Sequence, residues 1–126
     1  MNLNTDQRKK RSDQTSEALE LQLKASAVRL DAELFVLADD AGLMIAGSSR
    51  DEQSEEVAAL CPHLAPTGRL WSGRLRWKTR SRHLTITPFR AGPFLLYLCH
   101  MGTRHPKLST VLSSTRKGVL RILEME

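Results

Sequence analysis

Apolar positions recur at helical spacing in three stretches of the chain and at strand spacing between them. From about Thr15 to about Leu30, the residues Leu19, Leu23, Ala27 and Leu30 fall on one side of a helix, while Glu20, Gln22 and Lys24 fall elsewhere. Thr15 or Ser16 can accept hydrogen bonds from the free amides of the first turn, and Glu17 and Glu20 suit the positive end of the helix dipole. Leu34-Phe35-Val36-Leu37-Ala38 is short, aliphatic and bounded by turn residues, which predicts a strand. Asp39-Asp40-Ala41-Gly42 is a turn, because Asp bonds its own backbone and Gly42 supplies a positive φ. Leu43-Met44-Ile45-Ala46 returns as the second strand. A second helix follows, with Ser49 and Glu52 in a capping-box pattern or Ser54 as the cap. Val57, Leu60, Cys61 and Leu64 form its apolar stripe. Pro62 interrupts that stripe and either kinks the helix or ends it.

From Gly68 the period changes to two. Over Trp71–Arg80, one face carries Trp71, Gly73, Leu75, Trp77 and Thr79, and the other carries Ser72, Arg74, Arg76, Lys78 and Arg80. This reads as a half-buried strand with one basic face, which Arg82 extends. Leu84-Thr85-Ile86-Thr87 is the next strand, ending near Pro88. Phe94 to Met101 is apolar on both faces, so it should be the central, doubly covered strand. A closing helix starts around Pro106, with Leu108, Val111, Leu112, Thr115, Val119, Ile122 and Leu123 as its stripe. The order is helix, two strands, helix, three strands, helix. That order gives an α+β fold: a central five-stranded antiparallel sheet with helices on both faces.

Charge adds a tail and an asymmetry to this picture. Residues 1–12, with Arg8-Lys9-Lys10-Arg11, lack apolar periodicity and read as a disordered basic tail, leaving residues 13–126 as a single domain. Residues 31–60 carry a net charge of −7 and residues 61–126 a net of +10, within an overall +5. Such asymmetry bears on partners more than on fold. With 126 residues, 40% of them hydrophobic and 26% charged, the composition is that of a globular domain. No apolar run has the length of a membrane span, and no apolar signal-peptide core follows the basic N-terminus, so a cytoplasmic protein is expected. Cys61 and Cys99 sit in apolar contexts and read as reduced and buried.

Candidate chemistry is sparse. Asp39-Asp40 are turn formers more readily than a carboxylate pair. Ser48-Ser49 follow no phosphate-binding glycine pattern and read as capping residues. Cys61 with His63 and Cys99 with His100 lack metal-ligand spacing, while His83 and His105 read as loop residues. No catalytic, cofactor-binding or metal residue is assigned, and a non-enzymatic protein is expected. The basic row Arg74, Arg76, Lys78 and Arg80 is the most informative feature. It suits an acidic protein partner, a nucleic-acid phosphate backbone, or a solvated sheet face whose arginine stems cover apolar surface.

LFVLADDAGLMIA (Leu34–Ala46), a short serine-rich loop and the acidic-start helix SEEVAALCPHLA together resemble the roadblock family, small proteins related to dynein light chains and to bacterial gliding-motility proteins. The likeness spans about residues 15–125. It implies a homodimer built by pairing third strands and packing second helices, serving a Ras-like small GTPase as scaffold or activator. The interface residues it implies are Val57, Leu60, Cys61 and Leu64 on the helix and Trp71, Leu75 and Trp77 on the strand. GAF- and PAS-type sensory domains, which bind small ligands, share related strand-turn-strand signatures. A basic nucleic-acid-binding module is the remaining reading.

Overall fold

The computed structural model describes residues 3–66, 68–77 and 79–124, with side chains from Asp13 onward and that of Trp77 excepted. The elements are α1 (Leu3–Leu30), β1 (Leu34–Asp39), β2 (Met44–Gly47), α2 (Glu52–Leu64), β3 (Trp71–Trp77), β4 (Arg80–Ala91), β5 (Phe94–Gly102) and α3 (Leu108–Glu124). Five strands form one antiparallel sheet in the order β2-β1-β5-β4-β3. The apolar run from Phe94 therefore lies in the middle of the sheet, as its two-sided hydrophobicity predicts.

Strand alternation sorts the core into two layers. Phe35, Leu37, Leu96 and Leu98 meet Leu19, Leu23 and Leu30 of α1 and Val111, Leu112 and Val119 of α3. Leu34, Val36, Tyr97, Cys99 and Met101 meet Val57, Ala58 and Cys61 of α2. Helices thus cover both faces, and the periodic residues picked out in α1 and α3 are the ones that pack. α1 and α3 are also joined by hydroxyls: the Thr115 hydroxyl donates to the Val111 carbonyl at 2.6 Å, so the Ser26 hydroxyl donates to Thr115, also at 2.6 Å. Both side chains are buried, and this chain of bonds satisfies them.

The β1–β2 turn forms as its sequence predicts. The Asp39 carboxylate accepts from the Ala41 and Leu43 amides, both at 2.9 Å. Gly42 has φ +82°, and a Cβ there would stand 3.1 Å from the Ala59 Cα of α2. The turn is thus tight in itself and pressed against a helix. Ser48 closes the same hairpin, with its hydroxyl accepting from the Phe35 amide at 3.0 Å.

Several boundaries differ from expectation. α1 is helical from Leu3, ahead of the expected start near Thr15, so the segment expected to be a disordered tail continues the helix from its third residue. That segment contains neither Gly nor Pro, and extending an existing helix costs far less than nucleating one. Asp51, not Ser49 or Ser54, caps α2: its carboxylate accepts from the Ser54 amide at 2.8 Å. That bond, before all else, holds the Asp51 carboxyl below its usual range. Pro62 does not end α2, because only Leu64 and one residue before it follow, and the helix end is fastened otherwise. The Ala65 amide donates to the Cys61 carbonyl at 3.0 Å, and the Tyr97 hydroxyl donates to the Ala65 carbonyl at 3.2 Å. Pro106 precedes α3 and stands outside it. β4 runs from Arg80 to Ala91 and passes through Pro88. β3 stops opposite Ile86, so at Pro88 the strand has a neighbour only on its β5 side, where a proline is tolerated.

His100 stands fully buried on β5, edge-on to Phe35 with ring centroids 6.0 Å apart. Burial, aided by His83 and His105, lowers its pKa to about 4. The unfolded chain therefore takes up this proton first as pH falls. Stability present above the ordinary histidine value of 6.5 is lost between there and about 4. The loss is on the order of 3 kcal/mol for this group. His100→Gln is expected to flatten the fall of melting temperature across that range, and an unchanged slope would show that other groups govern it. Gly42→Val should lower stability by roughly 1–3 kcal/mol from backbone strain alone, with the Ala59 contact adding to it. Thermal denaturation measures this, and an unchanged midpoint would refute the turn as drawn.

Candidate functional site

β3 is an edge strand, so one side of its backbone is unpaired among the described residues. Its residues alternate in exposure as their polarity predicts. Trp71, Gly73 and Leu75 are half-buried, whereas Ser72, Arg74 and Arg76 are exposed. The apolar set faces the α2 side, where Trp71 and Leu75 pack against the core cluster together with Leu64 and Leu95. The Trp71 indole lies against Gly73: a Cβ there would come within 2.9 Å of the ring. The missing side chain of Gly73 is what lets the indole rest against its own strand.

α2 packs over β1, β2 and β5. The apolar face of β3 is therefore only partly covered, which is why Trp71 and Leu75 keep some exposure. Leu60 and Leu64 are half-buried on α2. These four residues are the members of the expected interface that a partner could reach. Val57 and Cys61 are not, since both are fully buried against the sheet. A helix stripe facing its own sheet and one facing a partner have the same period, so sequence spacing could not separate them. The backbone of Trp77 pairs with Arg80, and its side chain lies outside the described residues.

The basic row does not hold together as one strand face. Lys78 lies outside the described residues. Arg80 opens β4 opposite Trp77, and Arg82 stands opposite Leu75. Cross-strand partners share a face, so Arg80 and Arg82 lie on the apolar side of β3, away from Arg74 and Arg76. Arg82 is ion-paired with Glu33 at 2.5 Å. What remains of the row is Arg74 and Arg76, exposed and without an acidic partner among the described residues.

Alternation alone could not reveal the neighbours of Arg74, because they depend on register. Arg74, His83 and Gly102 lie abreast on β3, β4 and β5, and Ser72, Thr85 and His100 form the adjacent row. His83 is thus a strand residue and not the loop residue expected. Its Nε2 is 2.9 Å from the Ser72 hydroxyl. Burial first, then Arg104 and Arg74, hold its pKa below the ordinary histidine value.

The remaining candidates have structural roles. Asp39 and Ser48 hold the hairpin, and the Ser49 hydroxyl donates to Asp51 at 3.2 Å. Cys61 and Cys99 are free thiols, buried side by side between α2 and β5, and burial pushes the Cys99 thiol well up. Among the described residues no group of three His, Cys, Asp or Glu is placed to hold a metal ion. Nor is any described helix long and apolar enough to cross a membrane.

No protein-family model matches the sequence, and no curated protein matches it. Solved structures do. MglB of Myxococcus xanthus superposes with a TM-score of 0.65 at 13% identity, covering 86% of this chain and 90% of that one. The gliding protein MglB of Thermus thermophilus gives 0.61 at 14% identity, over 89% of this chain and 93% of that one. An MglB with a tetrameric arrangement gives 0.60 at 16% identity, over 88% and 91%. The chain therefore has the fold of the MglB gliding-motility proteins, in keeping with the roadblock resemblance of its sequence.

Proposed function

We propose that the protein is a dimeric, non-catalytic cytoplasmic regulator of a Ras-like small GTPase, acting as scaffold or activator. The observation that carries this reading is the half-buried apolar group Leu64, Trp71 and Leu75, with Leu60 half-buried on the same helix as Leu64, beside a strand edge unpaired among the described residues. Two such edges can complete each other's hydrogen bonds while the apolar groups bury each other. The MglB fold and the roadblock resemblance supply the GTPase as partner. Arg74 and Arg76, on the opposite face, suit an acidic patch on such a partner and steer its approach.

Light scattering at micromolar concentration should report twice the 14.2 kDa chain mass. Leu75→Glu should return the single mass with an unchanged circular dichroism spectrum. A wild-type monomer across that range would overturn the dimer. Arg76→Gln should leave stability within about 0.5 kcal/mol, because the side chain is exposed and unpaired. It should slow association with a Ras-like small GTPase that binds the wild-type protein and reduce the salt dependence of the rate. An unaltered association rate would remove the basic face from the mechanism.

A further inference from the structure

On the sheet face opposite α2, the ends of β3, β4 and β5 and the loop after β5 border an open pocket of about 630 Å³. That volume lies within the ordinary range for small-ligand sites. Arg74, His83, Ser72, Gly102, Thr103 and Arg104 line it. Arg82 is also among the lining residues, and its side chain is ion-paired with Glu33. Among the described residues no carboxylate lines the pocket. Arg74 and Arg104 are both exposed and have no acidic partner among the described residues. Arg74, Arg104 and His83 line the same pocket, and both guanidinium groups help to lower the histidine's pKa.

A second, independent observation concerns the floor. Beside the pocket lie buried polar atoms without a hydrogen-bond partner among the described residues: Nδ1 of His83, Oγ1 of Thr85, and both ring nitrogens of His100. Thr85 and His100 are each more than nine-tenths buried. Nε2 of His100 is 3.7 Å from the point where Gly102, a lining residue, would carry a Cβ. His100 is thus next to the lining but fully buried behind it. Buried polar groups left unsatisfied are costly, and His83, which carries one of them, is itself a lining residue that a polar atom of a ligand can complete.

We propose that this pocket binds a small phosphate-bearing molecule. The phosphate sits between the Arg74 and Arg104 guanidinium forks, whose planar donors match its oxygens. The Ser72 and Thr103 hydroxyls are at hand as further donors, and the remainder of the molecule lies against His83 and Gly102. A nucleic-acid strand is disfavoured because the cationic groups converge on a cavity and do not extend along the sheet. The site requires neither a second copy of the chain nor a GTPase, so it stands or falls separately from the proposed regulation.

The test is a titration of the whole protein with inorganic pyrophosphate at low salt, followed through the histidine ring signals by NMR. Saturable shifts of the His83 ring are expected, with its titration midpoint rising as the bound anion offsets the two guanidinium groups. Arg74→Gln with Arg104→Gln should weaken binding by about tenfold or more, from the loss of two charge-assisted bonds. Both positions are exposed, so the variant is expected to fold, and its circular dichroism spectrum verifies this. Absence of a His83 shift at millimolar pyrophosphate would overturn the proposal, as would equal binding by the folded double variant. Displacement of pyrophosphate by an oligothymidylate at lower concentration than by a mononucleotide would also overturn it, in favour of a nucleic-acid strand.

Discussion

β5 is the strand on which everything else rests. Its side chains from Tyr97 to Met101 are apolar or uncharged and buried on both faces, so its backbone reaches no water from above or below. Every amide and carbonyl along it must then be satisfied by a strand on each edge. β1 and β4 fill those two places in continuous register, Leu34 against Met101 on one side and Leu84 against Met101 on the other. With the flanks occupied, β2 and β3 can only be edges. Two helices on one face and one on the other then follow from the alternation of β1 and β5.

The two edges are treated differently. β2 has four residues, too few to offer a long template, and it is held between α1 and α2. β3 is longer and less covered, with the Trp71 indole resting against Gly73 on its apolar face. On its other face stand Arg74 and Arg76, the kind of charge that keeps an edge from pairing indiscriminately. The same strand thus carries the means to recruit a partner edge and the means to refuse most of them.

Much of this was legible in the sequence because local pattern and tertiary demand agree. Two-sided hydrophobicity marked β5 as central, the Asp39–Gly42 chemistry marked the hairpin, and the stripes of α1 and α3 marked the surfaces that pack. The failures came where local pattern is indifferent to the outcome. Lys78-Thr79 contains no Gly, Asn, Asp or Pro, so the alternation of β3 reads straight through the turn and carries Arg80 onto the wrong face. Val57 and Cys61 have the spacing of any apolar helix face, which does not say what the helix faces. The row formed by Arg74, His83 and Gly102 joins three separate stretches of sequence. It exists only once the register is set, and no periodicity within one stretch could announce it.

The strand order also constrains the time course of assembly. β3, β4 and β5 follow one another in sequence and pair as neighbours, so their contacts close over short loops. β1 pairs with β5, about half the chain away, across the full length of both strands. While the chain emerges from the ribosome, β1 and its apolar side chains exist long before the strand that completes them. The first hairpin and α2 must shield that surface until residue 94 and beyond have been made. Joining β1 to β5 is the closure of the greatest sequence separation in the sheet, and topology of this kind sets folding speed more than stability does. A sheet with these strands in sequential order would keep the same pairs of layers and lose that wait.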